Sequence, residues 1–205
     1  MTDQPYDITG LILAGGASRR MGQPKAQLEL SGQKIFERVR SKLAPICQEI
    51  ILVTNRPTDF LDCDLEIVQD LVLGRGPLGG LATGLLYAHY PWSLALACDL
   101  PFVKTEILDY LAQRALAASP GPRALIPEHK AGWEPLVAVY SKSCLKAALK
   151  LLSHKRPRLN DLRYNGVFFE RVTEEELRKL DQDLISFINL NTPEELEWAR
   201  DKFAD

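Results

Sequence analysis

Short apolar runs that alternate with stretches of helical periodicity predict an α/β fold on a mostly parallel central sheet. Two observations carry that expectation. Residues 11–14, 50–53 and 94–98 are nearly uninterrupted apolar runs, without the alternation of a half-wet strand, so they belong in a sheet covered on both faces. Between them, sets such as Ile35, Phe36, Val39 and Leu43 recur at the three- and four-residue spacing of a helix that buries one stripe. With 205 residues, 46% hydrophobic composition and a net charge of -2, the chain is expected to bury one core as a single domain, residues 1–205. The near-neutral charge argues against general nucleic-acid binding and leaves any positive field local, for a small anionic substrate. Cys47, Cys63, Cys98 and Cys144 stand singly, with neither zinc-site pairing nor the density of a disulfide scaffold. A polar, acidic N-terminus with no long apolar span after it suggests a soluble cytoplasmic protein without a membrane segment.

The first strand, residues 11–14, empties into Gly15-Gly16, where the backbone turns sharply out of the sheet and a bulky ligand can approach closely. Beyond the glycines, Ser18, Arg19, Arg20 and Lys25 supply a hydroxyl and three cations with no carboxylate among them. A polyanion there meets backbone N–H groups and fixed positive charge, and the natural guest is a nucleoside triphosphate. Two other glycine-rich loops are excluded. Gly22 is followed by Gln23, so the lysine and hydroxyl of a P-loop are misplaced, and the spacing of Gly15, Gly16 and Gly22 does not match a dinucleotide fingerprint.

Residues 26–30 read as a short extended piece ended by Ser31-Gly32, and the helix that follows should stop near Pro45. Residues 49–54 form a second strand whose end carries Asn55, and residues 65–68 a third that delivers Asp70 to the same edge, where ligands of open parallel sheets sit. Asn55 equally suits a turn. Residues 74–80, rich in glycine, read as a mobile loop before a helix at 81–90, with Gly79, Gly80 and Gly84 permitting close backbone packing. The strand at 93–98 ends in Asp99, placed where Mg²⁺ would bridge it to phosphates gathered by the first loop. A helix at 105–117, strands at 124–127 and 136–140, and a helix at 143–152 follow, then the basic turn Lys155-Arg156-Pro157-Arg158, which reads as a solvated turn or as a receiver for an anionic second substrate. Residues 167–169 are a strand. Thr173 with Glu176, and Thr192 with Glu195, are capping boxes, the second helped by Pro193 at the first helical position. Capping leaves Asn189 and Asn191 unexplained; as alternate residues of an extended segment they point the same way, toward a ligand.

Taken together, the Leu-Ala-Gly-Gly-x-Ser-x-Arg-Met-Gly-x-x-Lys string over residues 13–25, the Gly-Pro-Leu-Gly-Gly at 76–80, the Cys-Asp-Leu-Pro-Phe at 98–102 and the Asn-x-Asn-Thr-Pro-Glu-x-Leu ending at 189–196 resemble the molybdenum cofactor guanylyltransferase family. The first and third pieces are shared with wider nucleotidyltransferases; the ending discriminates more. Residues 71–75 match no pattern of that family. The resemblance implies a three-layer α/β/α Rossmann-like nucleotidyltransferase domain in which Leu13, Ala14, Gly15 and Gly16 lie in the GTP site, Lys25 binds phosphate, Asn55 and Asp70 bind GTP, Asp99 holds Mg²⁺, and Asn189 and Asn191 lie on the molybdopterin side. It implies GTP and molybdopterin as substrates and a molybdopterin-delivering protein as a possible partner.

The chemistry expected is attack by the terminal phosphate of molybdopterin on the α-phosphorus of GTP, releasing diphosphate, with charge cancelled by Mg²⁺, Lys25 and Arg20. His89, His129 and His154 fall in no motif and are expected to be structural or surface residues. The rival readings are a cytidylyltransferase acting on the same pterin, a sugar-phosphate nucleotidyltransferase, and a nucleotide-binding regulatory protein without turnover.

Overall fold

The structure, a computed structural model, describes residues 4–15 and 27–202. Strand β1 (Tyr6–Leu13) is buried from Ile8 onward, as its apolar run requires. Strands β2 (Glu29–Leu30) and β3 (Gln33–Lys34) make a separate antiparallel hairpin turned by Ser31 and Gly32, whose φ values are 50° and 74°. A two-residue hairpin loop needs this left-handed pair to match the strand twist. Helix α1 (Ile35–Leu43) buries Ile35, Phe36, Val39 and Leu43 and ends at Ala44, ahead of Pro45. Strands β4 (Cys47–Thr54) and β5 (Glu66–Gln69) follow.

Helix α2 (Gly76–Tyr87) corrects the expected mobile loop at 74–80. Pro77 occupies the first turn, where its missing N–H is no loss and its fixed φ is already helical. The glycines then serve contact rather than mobility. A β-carbon at Gly84 would stand 2.6 Å from Leu11 Cδ1, and one at Gly80 would stand 3.5 Å from Leu13 Cδ2, so the helix lies directly on β1.

Strand β6 (Trp92–Ala97) is buried throughout, and helix α3 (Thr105–Leu116) follows at the expected position. Strand β7 (Arg123–His129) turns back through the short β8 (Gly132–Trp133), which the sequence reading did not foresee, into β9 (Val137–Ser141). Helix α4 (Leu145–Leu152), strand β10 (Phe168–Thr173), helix α5 (Glu174–Leu180) and helix α6 (Pro193–Lys202) complete the order. Both expected capping boxes are present. Thr173 Oγ1 accepts from Glu176 N while the Glu176 carboxylate receives Thr173 N, and Thr192 and Glu195 exchange the same pair.

The main sheet runs β10-β7-β9-β6-β1-β4-β5, with β8 added on β7. Its pairs are parallel except where β9 meets β6 and β7 and where β8 meets β7. Side chains of α1, α3 and α5 share one core with one sheet face, and those of α2 and α4 share another with the opposite face. This is a three-layer α/β/α arrangement. A smaller cluster joins Leu196 and Ala199 of α6 to Leu28, Leu30 and Ile35 around the hairpin. Strand order reverses at β1: β4 and β5 lie on one side of it and β6 on the other. The carboxyl ends of β1 and β6 therefore flank a topological switch point, where open α/β sheets hold their ligands.

Candidate active site

The carboxyl ends of β1, β4, β5 and β6 bring together the sequence-predicted residues that the structure describes. Ala14 N–H donates to Val53 O (2.9 Å), Cys98 N–H donates to Leu13 O (3.3 Å), and Thr54 Oγ1 donates to Ala14 O (3.3 Å). These bonds hold Leu13 and Ala14 into the sheet and make exposed Gly15 the first residue clear of it. Gly16, Ser18, Arg19, Arg20 and Lys25 lie outside the described residues.

Asn55 leaves the end of β4 and Asp70 the end of β5, and Asn55 Nδ2 donates to Asp70 Oδ2 at 2.9 Å. Asp70 is 7% exposed. Burial pushes its carboxyl above the usual range, opposed by the Asn55 hydrogen bond. Among the described residues, Asp70 Oδ1 and Asn55 Oδ1 are both buried without a hydrogen-bond partner. Leaving two buried acceptors unpaired costs about 1–3 kcal/mol each unless a donor reaches them. Glycines form the walls: a β-carbon at Gly15 would stand 3.7 Å from Asp70 Oδ2, and one at Gly80 would stand 3.6 Å from Asp70 Oδ1. Thr83 fixes the next turn, accepting Leu71 N–H (3.0 Å) and donating to Gly79 O (2.9 Å).

Asp99 follows β6 on the other side of β1, half-buried, and its backbone oxygen accepts Leu190 N–H at 3.0 Å. Leu190 is buried while Asn189 and Asn191 are exposed on either side of it, the alternation expected of an extended segment. A hydrogen bond between residues far apart in the chain thus sets Asn189 and Asn191 beside the Asp99 turn. Among the described residues no three His, Cys, Asp or Glu side chains cluster as a metal cage. Mg²⁺ at nucleotide sites takes one or two carboxylates and completes its shell with phosphate and water oxygens, and a single Asp99 at the switch point fits that donor set.

Arg75, just ahead of α2, donates from Nη1 to His154 O at 3.1 Å, and in the basic turn that follows Lys155, Arg156 and Arg158 are exposed, as a solvated turn requires. His89 contacts Glu49, beside the start of β6 and away from this edge. The sequence reading missed one pair. His129 Nε2 lies 2.9 Å from Glu134 Oε1 at the end of β7, and a partner found across a hairpin leaves no mark in either residue's immediate neighbours.

Residues 10–164 match the model of the MobA-like NTP transferase domain family. The chain is 37% identical over 193 residues to the molybdenum cofactor guanylyltransferase of Desulfosudis oleivorans, covering 94% of each chain. It is 38% identical over 192 residues to the probable molybdenum cofactor guanylyltransferase of Pelotomaculum thermopropionicum, covering 94% of this chain and 91% of that one. The crystal structure of molybdopterin-guanine dinucleotide biosynthesis protein A from Archaeoglobus fulgidus superimposes with a TM-score of 0.80 at 32% identity, covering 96% of this chain and 98% of that chain.

Proposed function

The chain belongs to the MobA-like NTP transferase family, and from that premise we propose that it transfers GMP from GTP to molybdenum-molybdopterin, forming the guanine dinucleotide form of the cofactor. In this reading residues 1–205 work as one nucleotidyltransferase domain. The observation that supports a nucleoside site most directly is the buried Asn55–Asp70 pair with its two unpartnered oxygens under a glycine wall. Such a pocket accepts N–H and O–H donors from a base or ribose, and the lack of side chains at Gly15 and Gly80 leaves the space beside Asp70 open to them.

In the reaction, a terminal phosphate oxygen of molybdopterin attacks the α-phosphorus of GTP. The bond from that phosphorus to the bridging oxygen breaks, and diphosphate leaves with the electron pair. Leu13, Ala14 and Gly15 position the nucleoside over the end of β1, while Lys25 and Arg20 meet the phosphates as fixed cations. Asp99 holds Mg²⁺, which when bound supplies positive charge to the α-phosphate and the departing diphosphate. Asn189 and Asn191, tied to the Asp99 turn through Leu190, face the acceptor. Cytoplasmic synthesis and receipt of molybdopterin from a delivering protein fit this role.

The test is diphosphate release from GTP and from CTP, each with molybdopterin and Mg²⁺. A pocket built for a purine's donors leaves a pyrimidine mispaired, so GTP should react and CTP should compete poorly. Equal use of CTP would transfer the assignment to a cytidylyltransferase, and nucleotide binding without diphosphate release would leave a binder.

A further inference from the structure

The His129–Glu134 pair lies outside the nucleotide pocket and is built to present one oxygen. β7 runs in the same direction as β1, so His129, its last residue, stands at the carboxyl edge. Glu134 stands at the same edge, in the turn before the reversed strand β9. Two contacts tie the pair to the far side of the site. Leu136, two residues after Glu134, accepts Ala97 N–H at 3.0 Å, two residues before Asp99. The His129 ring packs against Phe187 at 5.1 Å between centroids, two residues before Asn189.

The hydrogen bonds settle what each group offers. Ala131 N–H donates to His129 Nδ1 at 3.2 Å, so the ring proton sits on Nε2 and is donated to Glu134 Oε1 at 2.9 Å. Both imidazole nitrogens are engaged, and His129 holds Glu134 in place rather than meeting a ligand. Glu134 Oε2 has no partner among the described residues, although the side chain is only 20% exposed. Burial raises the Glu134 pKa, against the pull of His129. His129 fixes one oxygen of this carboxylate and leaves the other open at the carboxyl edge of the sheet, placed to accept a hydrogen bond from a ligand.

We infer that Glu134 is the acceptor-recognition residue of this site: its Oε2 takes a hydrogen bond from the N–H edge of the acceptor's 2-amino-4-oxo heterocycle, and His129 is the positioning residue that aims it. This rests on the proposed reaction. A carboxylate repels the acceptor's phosphate and pairs with its N–H donors, so the contact falls on the pterin ring. Guanine carries the same amino-oxo edge, but the nucleoside pocket at Asn55 and Asp70 lies on the other side of β1.

The experiment uses the full chain and has two arms. In the first, initial rates of diphosphate release are measured for wild type, E134Q, H129A and H129Q, varying molybdopterin at saturating GTP and then the reverse. E134Q should raise the KM for molybdopterin by roughly ten-fold or more, the loss of one charge-assisted hydrogen bond, with the KM for GTP unchanged. H129A should show a smaller rise in the same constant, and H129Q, whose amide donates from the position of Nε2, should restore it. A rise in the KM for GTP instead, or no change in either, overturns the inference. The second arm needs no variant: wild-type protein is titrated with 6-hydroxymethylpterin and with its analogue bearing a carbonyl in place of the 2-amino group. Tighter binding of the amino form supports the inference, and equal affinity overturns it. Failure of the proposed function is separate, because it would show as absence of diphosphate release by wild type.

Discussion

Around Asp70 the chain closes by leaving side chains out, whereas around Glu170 it closes by pairing charges. In the first region α2 lies on β1 because Gly84 has no β-carbon to hold it away, and beside it Asn55 and Asp70 each keep an oxygen unpaired among the described residues. In the second, Arg114 of α3 reaches Glu170 of β10 (2.7 Å) and Glu176 of α5 (2.8 Å), and Arg123 of β7 also reaches Glu170 (2.7 Å). Steric closure is specific to shape and indifferent to pH. Ionic closure tolerates changes of shape and responds to pH.

The largest effect is expected at Asp99, after β6, which lies between the two regions in the sheet. Asp99→Asn should lower guanylyl transfer by about 10²–10³-fold while leaving thermal unfolding near wild type. Asn keeps the size and turn-forming capacity of Asp, so a residue serving only the turn would tolerate the exchange. A neutral amide does not replace an anionic oxygen on Mg²⁺, and raised Mg²⁺ should restore only part of the rate. Wild-type turnover at ordinary Mg²⁺ would make Asp99 a turn residue and remove the metal assignment.

Lys25→Ala comes next. Losing a charge-assisted phosphate contact should cost about 1.5–3 kcal/mol of GTP affinity, roughly ten- to a hundred-fold, with the fold intact. Titration of the variant with GTP measures this, and unchanged affinity would remove Lys25 from the site.

Gly84→Ala tests steric closure itself. The new methyl would meet Leu11 Cδ1 at 2.6 Å and Cδ2 at 2.9 Å, and Leu11 is fully buried, so its side chain has little room to withdraw. Overpacking of this kind costs about 1–3 kcal/mol, partly offset by the better helix propensity of Ala, about 1 kcal/mol. A net loss of up to about 2 kcal/mol in denaturant unfolding is expected. A more stable variant would mean that α2 does not depend on that contact.

How much of this was legible in the sequence follows the same division. The placement of Asn55, Asp70 and Asp99 at one sheet edge was readable because each stands within two residues of a strand's carboxyl end, and strand ends define that edge. The capping boxes were readable because their partners sit three residues apart. The residues at 76–80 were misread as mobile: glycine content is local, but the contacts of Gly80 with Leu13 and of Gly84 with Leu11 are tertiary and override it. The Arg114, Arg123 and Glu170 network and the His129–Glu134 pair left no signal, because each charge meets a partner on a different element.

The smallest expected effect separates the two kinds of closure most cleanly. Burial alone would raise the Glu176 carboxyl, but hydrogen bonds from the Thr173 hydroxyl and N–H and from the Tyr110 hydroxyl, with the Arg114 charge, bring it down to about 2 from an ordinary value of 4.5. The folded state therefore binds its proton more weakly than the unfolded chain does. The stability that Glu176 contributes is fully present above about pH 4.5 and is lost as pH falls toward 2. Glu176→Gln keeps a side chain able to reach back to Thr173 but removes the charge, so the variant should melt below wild type at pH 7 and at pH 5. That gap should narrow from pH 4.5 downward as the wild-type carboxylate takes up its proton. It should be modest, since partly exposed ion pairs are worth about 0–1 kcal/mol. The deficit of Gly84→Ala arises from a methyl group with no charge in it and should stay constant over the same range. Melting temperatures of both variants and wild type between pH 7 and pH 3 give the comparison directly. A Glu176→Gln gap that does not shrink in acid, or a Gly84→Ala gap that does, would show that the two regions are not held by different forces.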